Sequence, residues 1–134
     1  MHKFMALNCA ILYGRLGIFY PDDCAKCLKE CLKKVCFGFI CSNTEGKSKH
    51  DSFIGINKII LKNPVDFLVH AGFYLEAVGK YQQPTPEVTE GIKMILNELI
   101  KGDQAVRAKV EEAYKGLSQE AKAGLKNNFH FPPN

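Results

Sequence analysis

The apolar positions in the first part of the chain are most regular just after Asp22 and Asp23. From there they recur at intervals of three and four residues, the spacing that places side chains on one continuous face of an α-helix. Either aspartate can serve as the N-cap of this helix, and Gly38 can end it. The pattern therefore predicts one long amphipathic helix. Its apolar face consists of Cys24, Cys27, Leu28, Cys31, Leu32, Val35 and Cys36.

The second part of the chain contains four signals for helix starts. Each is a short polar residue that precedes apolar residues at helical spacing, and in two cases proline follows at the first helical position. These four residues are Asn63, Thr85, Asp103 and Ser118. Gly79 or the stretch 82–84 is expected to end the first helix, and Gly102 the second. Because the joints are short, we expect neighbouring helices to be antiparallel.

Three other segments are less regular. Residues 4–13 are mostly apolar, which favours a buried helix or strand over the hydrophobic region of a signal peptide, and the segment is too short to span a membrane. Residues 42–51 are polar and predict an exposed loop. Residues 53–61 are apolar without a clear period, so they predict a short helix or a strand.

Together these elements predict an all-α fold, a small antiparallel helical bundle of about five helices with a Cys-rich N-terminal helix. The chain has 134 residues, of which 46% are hydrophobic, and this length suits one core and not two. We therefore expect residues 1–134 to form a single helical domain. Its parts are a Cys-rich basic segment 1–62, capped helices over 63–128 and a tail at 129–134.

Charge is unevenly distributed over these parts. Residues 1–62 carry a net charge of +5 and the remainder −1. The lysines at 26, 29, 33 and 34 lie on the polar face of the predicted cysteine helix, where they could support weak contact with an anionic membrane surface. Only Arg15 and Arg107 are arginines, and no basic and aromatic stacking motif occurs, so a sequence-specific nucleic-acid reader is not expected.

The six cysteines allow three interpretations. Buried free thiols are favoured, because cysteine packs as a small apolar residue. Disulfides are the second interpretation, with partners on different segments, because two cysteines of one helix are poorly oriented for a low-strain bridge. Zinc is the candidate cofactor in the third, since Cys24 and Cys27 have the spacing of a zinc half-site. The predicted metal ligands are Cys24, Cys27, Cys31 and Cys36; Cys9 and Cys41 complete the six.

A non-enzymatic binding protein is the function that the sequence favours. The wide apolar stripes suggest that it buries an apolar, lipid-like small molecule or a protein partner between amphipathic helices. The predicted ligand-binding residues are Leu68, Gly72, Leu75, Ile92, Ile95 and Leu99. The alternative is a cysteine-based module, zinc-stabilised or redox-active, built on residues 24–41.

No catalytic motif is complete. Gly46-Lys47-Ser48 has the end of a phosphate-binding loop, but Cys41 stands where that motif needs glycine. An enzyme is therefore less expected than a binding protein. With no glycosylation sequon in the chain, the cytoplasm is slightly favoured over secretion.

One short phrase resembles a known family. Residues 116–122, Gly-Leu-Ser-Gln-Glu-Ala-Lys, resemble the LS-x-EAK phrases of nematode fatty-acid- and retinol-binding proteins, which are small helical lipid carriers. The resemblance covers seven of the 134 residues, and the cysteine-containing first part departs from the family. It implies an apolar ligand, in line with the first hypothesis.

Overall fold

All regular structure that the computed structural model describes, over residues 3–41 and 47–133, is helical. Side chains are described for residues 7–40 and 47–133. The helices in these ranges are α1 (Lys3–Phe19), α2 (Pro21–Ala25), α3 (Leu28–Cys41), α4 (Lys47–Lys62), α5 (Pro64–Val69), α6 (Ala71–Gly79), α7 (Pro86–Lys101), α8 (Gln104–Lys115) and α9 (Gln119–Phe129).

The fold is all-α, as the sequence predicted, but the finer prediction is not confirmed. Nine helices occur in the described ranges where about five were expected, and the first of them is the apolar α1 rather than a cysteine helix. The predicted cysteine helix is divided into α2 and α3 at Lys26 and Cys27. At this turn the backbone N–H of Cys27 donates to the carbonyl of Cys24 over 3.2 Å, a bond across three residues instead of four.

A second predicted helix is also broken. The segment that starts at Asn63 is divided into α5 and α6 at His70, whose backbone has φ −126° and ψ 26° and so leaves the helical region. The apolar positions keep their helical spacing through this break, and for that reason periodicity alone did not reveal it.

The four predicted N-caps are confirmed. Each side-chain oxygen accepts a hydrogen bond from the backbone N–H three residues later, which satisfies one of the unpaired donors of a helix start. The pairs are Asn63 with Asp66, Thr85 with Val88, Asp103 with Val106 and Ser118 with Ala121. The cap predicted at Asp22 or Asp23 is wrong, because the N-cap of α2 is Tyr20 and both aspartates lie in the first turn.

Other boundaries differ from the predictions as well. Gly38 does not end its helix, since α3 continues to Cys41. The polar segment predicted as a loop is helical from Lys47 onwards, where α4 begins, and residues 42–46 lie outside the described residues. The apolar segment 53–61 is entirely within α4, so the strand alternative is wrong there. It is also wrong at residues 4–13, which lie within α1.

Helices pack mainly on partners that are distant in sequence. Helix α1 packs on α4 and α3, α6 packs on α9 and α3, and α4 packs on α7. Two of these contacts bring backbones together at glycines. A methyl group on Gly55 of α4 would overlap the carbonyl oxygen of Gly14 in α1, and one on Gly124 of α9 would overlap that of Gly79 in α6. Pairing of consecutive antiparallel helices is therefore not what organises this fold.

The core extends from α1 to the last described residues. Its centre is a group of packed aromatic rings, in which Phe53 stacks on Phe39 and meets the edge of Tyr81. The predicted tail is part of this core, because Phe129 ends α9 and Phe131, 3% exposed, packs beside the ring of Tyr114. No described helix has the length and the apolar character that crossing a membrane would require.

Candidate functional site

A cleft lies between α5–α6 and α8. Its volume is about 480 Å³, within the range of small-molecule sites. Its floor is formed by two small residues in close contact. A methyl group on Gly72 of α6 would lie 3.6 Å from the Cβ of Ala113 in α8. The lining residues are Leu68, Val69, His70, Ala71, Gly72, Phe73, Glu76, Lys109, Glu112, Ala113, Gly116 and Leu117.

The apolar wall of this cleft continues onto the surface. Val69 and Phe73 line the cleft and are 53% and 39% exposed, and Val65, four residues earlier, is 75% exposed. The Nζ of Lys33 lies 5.2 Å from the centre of the Phe73 ring, so a cation borders the apolar wall. Exposed apolar side chains next to a cleft are typical of binding surfaces.

One carboxylate of the lining is held in place by hydrogen bonds. The Glu76 carboxylate accepts from the backbone N–H of Ser118 at 2.9 Å and from its Oγ at 2.6 Å, and Lys80 lies 3.3 Å away. Burial by itself raises the pKa of Glu76, but these bonds from Ser118 and Lys80 outweigh it and leave the pKa below its ordinary value. Glu76 is therefore a fixed negative charge at one end of the cleft.

The structure separates the six predicted ligand-binding residues. Leu68 and Gly72 line the cleft, whereas Leu99 lines a second cleft of about 300 Å³ against Phe131. Leu75, Ile92 and Ile95 are buried side chains of the close-packed core. The sequence pattern identified which residues face inwards, and it did not distinguish a packed interface from an open one.

Several cleft residues were missed by the sequence interpretation. Ala113 was recognised only as part of the inner face of α8, although a small residue on an apolar stripe is the signal of a gap opposite it. Glu76 and Lys109 gave no signal, because their position beside the cleft depends on how α6 and α8 pack.

A second cluster joins α1 to the turn between α2 and α3. The Tyr13 hydroxyl donates to the Cys24 carbonyl oxygen at 2.7 Å, and the Cys27 Sγ lies 3.3 Å from the same oxygen. Cys31 lies one helical turn after Cys27, and its backbone N–H donates to the Cys27 carbonyl at 3.1 Å. Cys27 is exposed, Cys31 is half-buried and Cys24 is buried. Tyr13 was not singled out by the sequence, since nothing local indicates its partner.

Burial controls the acidity of these groups. It raises the pKa of Cys31 to about 11, with further increases from the neighbouring Cys27 and from the charge of Glu30, while the charge of Lys34 lowers the pKa. It also raises the pKa of Tyr13 well above its ordinary range, as do the nearby cysteines. The pKa of Cys24 is raised by burial and by the charges of Cys27 and Asp23.

The predicted zinc ligands are not brought together as one set. Cys36 is fully buried, which raises its thiol pKa, and it faces Tyr74 in the core rather than the turn at Cys27. Among the residues whose side chains are described, no group of three or more His, Cys, Asp or Glu could hold a metal ion. Cys9 lies exposed on α1, and the side chain of Cys41 is outside the described residues.

A third cluster contains polar groups inside the core. His50 Nδ1 is hydrogen-bonded to the Tyr81 hydroxyl, and the Nζ of the buried Lys49 lies 4.8 Å from the centre of the Tyr81 ring. Deeper in the core the Tyr74 hydroxyl donates to the Asn57 side-chain oxygen at 2.7 Å. These contacts join α4 to the segment around α6 and are structural in character.

The comparisons with known proteins supply no relative. No protein-family model, curated protein or solved structure matches this chain.

Proposed function

We propose that this protein is a non-enzymatic binding protein that takes an apolar, lipid-like ligand into the cleft between α5–α6 and α8. The observation that carries the proposal is this cleft of about 480 Å³, whose floor is formed by the small residues Gly72 and Ala113, next to a core that is close-packed. An open, mostly apolar cleft of this volume releases ordered water when an apolar group enters it.

The cleft supports this proposal better than the interior of the helical core does. Three of the residues that the sequence suggested for ligand binding are buried in the close-packed core, where other core side chains surround them. They are Leu75, Ile92 and Ile95. Admitting a ligand there would require core side chains to separate, at a cost of several kcal/mol. The cleft requires no such rearrangement.

The charges around the cleft favour a ligand with a polar end. Lys109 of α8 is the lysine of the lining, the carboxylates of Glu76 and Glu112 also line it, and the exposed Val65 extends its apolar wall. An elongated molecule can therefore place its apolar body along Val69 and Phe73 and its polar end towards Lys109, where an anionic head group would find the opposite charge.

Binding of a dansyl-labelled fatty acid tests this function. We expect saturable fluorescence enhancement with a blue shift for the wild-type chain. Ala113→Leu fills the cleft opposite Gly72, and we expect its affinity to fall at least about tenfold, which corresponds to about 1.4 kcal/mol. Ala108→Leu is the matched control, since it is the same substitution at an exposed position of α8 outside the lining.

The outcomes separate clearly when folding is followed by circular dichroism. Absence of saturable binding to the wild-type chain, or equal affinity in the two leucine variants, would contradict the proposal. If Ala113→Leu does not fold, Gly72→Ala adds a smaller group to the same space from α6, where its Cβ would lie 3.6 Å from the Cβ of Ala113.

A cysteine-based module is a second candidate because Cys24, Cys27 and Cys31 meet at one turn. Its zinc form rests on the predicted set Cys24, Cys27, Cys31 and Cys36, of which Cys36 lies elsewhere in the core. The redox form needs only two neighbouring thiols, and the turn between α2 and α3 provides them.

A further inference from the structure

Two thiols lie side by side at the turn between α2 and α3. Cys27 and Cys31 are one helical turn apart, because the backbone N–H of Cys31 donates to the Cys27 carbonyl at 3.1 Å. Cysteines one helical turn apart are within the distance range that a disulfide spans, but a rigid helix orients them poorly. Here the constraint is weaker, because Cys27 precedes the first residue of α3.

Exposure gives the two thiols different roles. Cys27 is open to solvent, so a small molecule can reach its sulfur, whereas Cys31 is half-buried behind it. Lys26 and Lys29 next to Cys27, and Lys33 and Lys34 on the following turn, are all exposed. Three exposed carboxylates, Asp22, Asp23 and Glu30, lie among these lysines, and Asp23 is 3.5 Å from Lys26, so the charge around Cys27 is mixed.

We propose that Cys27 and Cys31 form a reversible disulfide by exchange with a low-molecular-weight disulfide of the glutathione type, which is small enough to reach the exposed Cys27. This site lies on the turn between α2 and α3 and is independent of the cleft proposed for ligand binding.

The exchange proceeds in two balanced steps. The Cys27 thiolate attacks one sulfur of the small disulfide, which forms a mixed disulfide and expels a small thiolate that takes up a proton. The Cys31 thiolate then attacks the Cys27 sulfur, the protein disulfide forms, and the second small thiol leaves with the proton that Cys31 lost. Two electrons pass from the protein thiols to the small disulfide, which is reduced to two thiols.

The surroundings of Cys31 favour this order. A thiolate at Cys27 disfavours a second thiolate at Cys31, in addition to the effects of burial and of the charge of Glu30 on the pKa of Cys31. Once Cys27 is in a mixed disulfide its own negative charge is removed, while burial and Glu30 still raise the pKa of Cys31 and Lys34 lowers it. Cys27 thus reacts with the reagent and Cys31 resolves the product.

Trypsin can distinguish every pairing of the cysteines involved. Cleavage after the lysines at 26, 29, 33 and 34 places Cys24, Cys27, Cys31 and Cys36 on four different peptides. Because Cys9 is also exposed and would itself react, the test uses the full chain with Cys9→Ser, and we expect oxidised glutathione at pH 8 to lower its intact mass by about 2 mass units. The tryptic digest should then contain peptide 27–29 linked to peptide 30–33, and dithiothreitol should separate them.

Two variants test the order of the steps. Cys31→Ser should accumulate the mixed disulfide at Cys27, which the wild-type chain forms only transiently. Cys24→Ala should close as the wild-type chain does. A link between Cys24 and Cys27, or a stable glutathione adduct on wild-type Cys27 without closure, would overturn the proposal. Circular dichroism of each variant confirms that the fold is retained.

Discussion

Glu76 shows how one side chain connects two distant helices. Its carboxylate accepts two hydrogen bonds from Ser118, whose Oγ also accepts from the backbone N–H of Ala121 as the cap of α9. The same serine oxygen thus donates to α6 and caps α9. Hydrogen bonds to a charged group contribute about 1.5–3 kcal/mol each to stability, so this contact is one of the stronger polar links of the fold.

The lowered pKa of Glu76 predicts a pH-dependent contribution to stability. A carboxyl group with a depressed pKa in the folded state stabilises the fold above its unfolded-state pKa, and this contribution is lost as the pH falls through the folded-state pKa. We therefore expect Glu76→Gln to lower the free energy of unfolding by about 1–2 kcal/mol at pH 7. The difference from the wild-type chain should disappear at pH values below the folded-state pKa.

Urea unfolding at a series of pH values measures this difference. Glu112→Gln is the control, since Glu112 is an exposed carboxylate of the same cleft and should change stability by less than about 0.5 kcal/mol. A constant difference between Glu76→Gln and the wild-type chain across the pH series would show that the charge of Glu76 is not what stabilises the contact.

At the level of helices, the sequence predicted the features that depend on neighbouring residues, and it missed those that depend on tertiary packing. The four caps were identified because Asn63, Thr85, Asp103 and Ser118 each bond to a backbone group only three residues away. The breaks at Cys27 and His70 were missed because apolar spacing continues through them, and a two-residue turn leaves no compositional signal.

The sequence pattern also did not predict which helices pack on each other. Helix α1 shows almost no segregation of apolar and polar faces, so periodicity did not indicate which side would be buried. Its closest contact depends on Gly14, which faces Gly55 of α4, a residue 41 positions later. Two glycines that permit close approach can be recognised as partners only when the helices are already placed together.

This glycine contact predicts a strong effect of one methyl group. Gly55→Ala places a Cβ where the carbonyl oxygen of Gly14 lies, so α1 and α4 must move apart. In a helix without such a neighbour the same change stabilises by about 1 kcal/mol, because alanine has the higher helix propensity. Here we expect instead a loss of about 2–4 kcal/mol in the free energy of unfolding, the range of overpacked or disrupted cores.

Thermal and urea unfolding of two glycine variants measure this effect. Gly116→Ala is the matched control, because its Cβ would lie 3.7 Å from the carbonyl oxygen of Ala113 and its backbone has a negative φ. It should be neutral or slightly stabilising. Equal stability of Gly55→Ala and Gly116→Ala would show that α1 does not pack on α4 through this contact.

For the whole molecule, the candidate site was predictable only in part, because the sequence indicates which residues face inwards and not how closely the helices pack. The sequence identified Leu68 and Gly72 as inward-facing, and both line the cleft. The sequence could not show that a cleft lies next to these two residues, because a cleft forms only where α6 and α8 leave space between their side chains. It grouped them with Ile92 and Ile95, which share their apolar character and lie in the packed core instead.

The last described residues belong to the core rather than to a loose tail, and this predicts long-range destabilisation. Phe131 lines the same cleft as Leu99 and Val110, and its ring centre lies 6.3 Å from that of Tyr114. Because the ring is 3% exposed, Phe131→Ala would leave a cavity between α7 and α8. We expect the free energy of unfolding to fall by about 3 kcal/mol, as for other buried phenylalanines.

Pro133→Ala is the control, because it changes a residue near Phe131 without removing a buried ring. Pro133 is exposed, so its substitution should alter stability by less than about 0.5 kcal/mol. Hydrogen exchange locates the effect. Amides of α7 and α8 should lose protection in Phe131→Ala, because the side chain packs between these helices. If only the amides after α9 lose protection, while those of α7 and α8 are protected as in the wild-type chain, then Phe131 covers the core but does not stabilise the packing of α7 and α8.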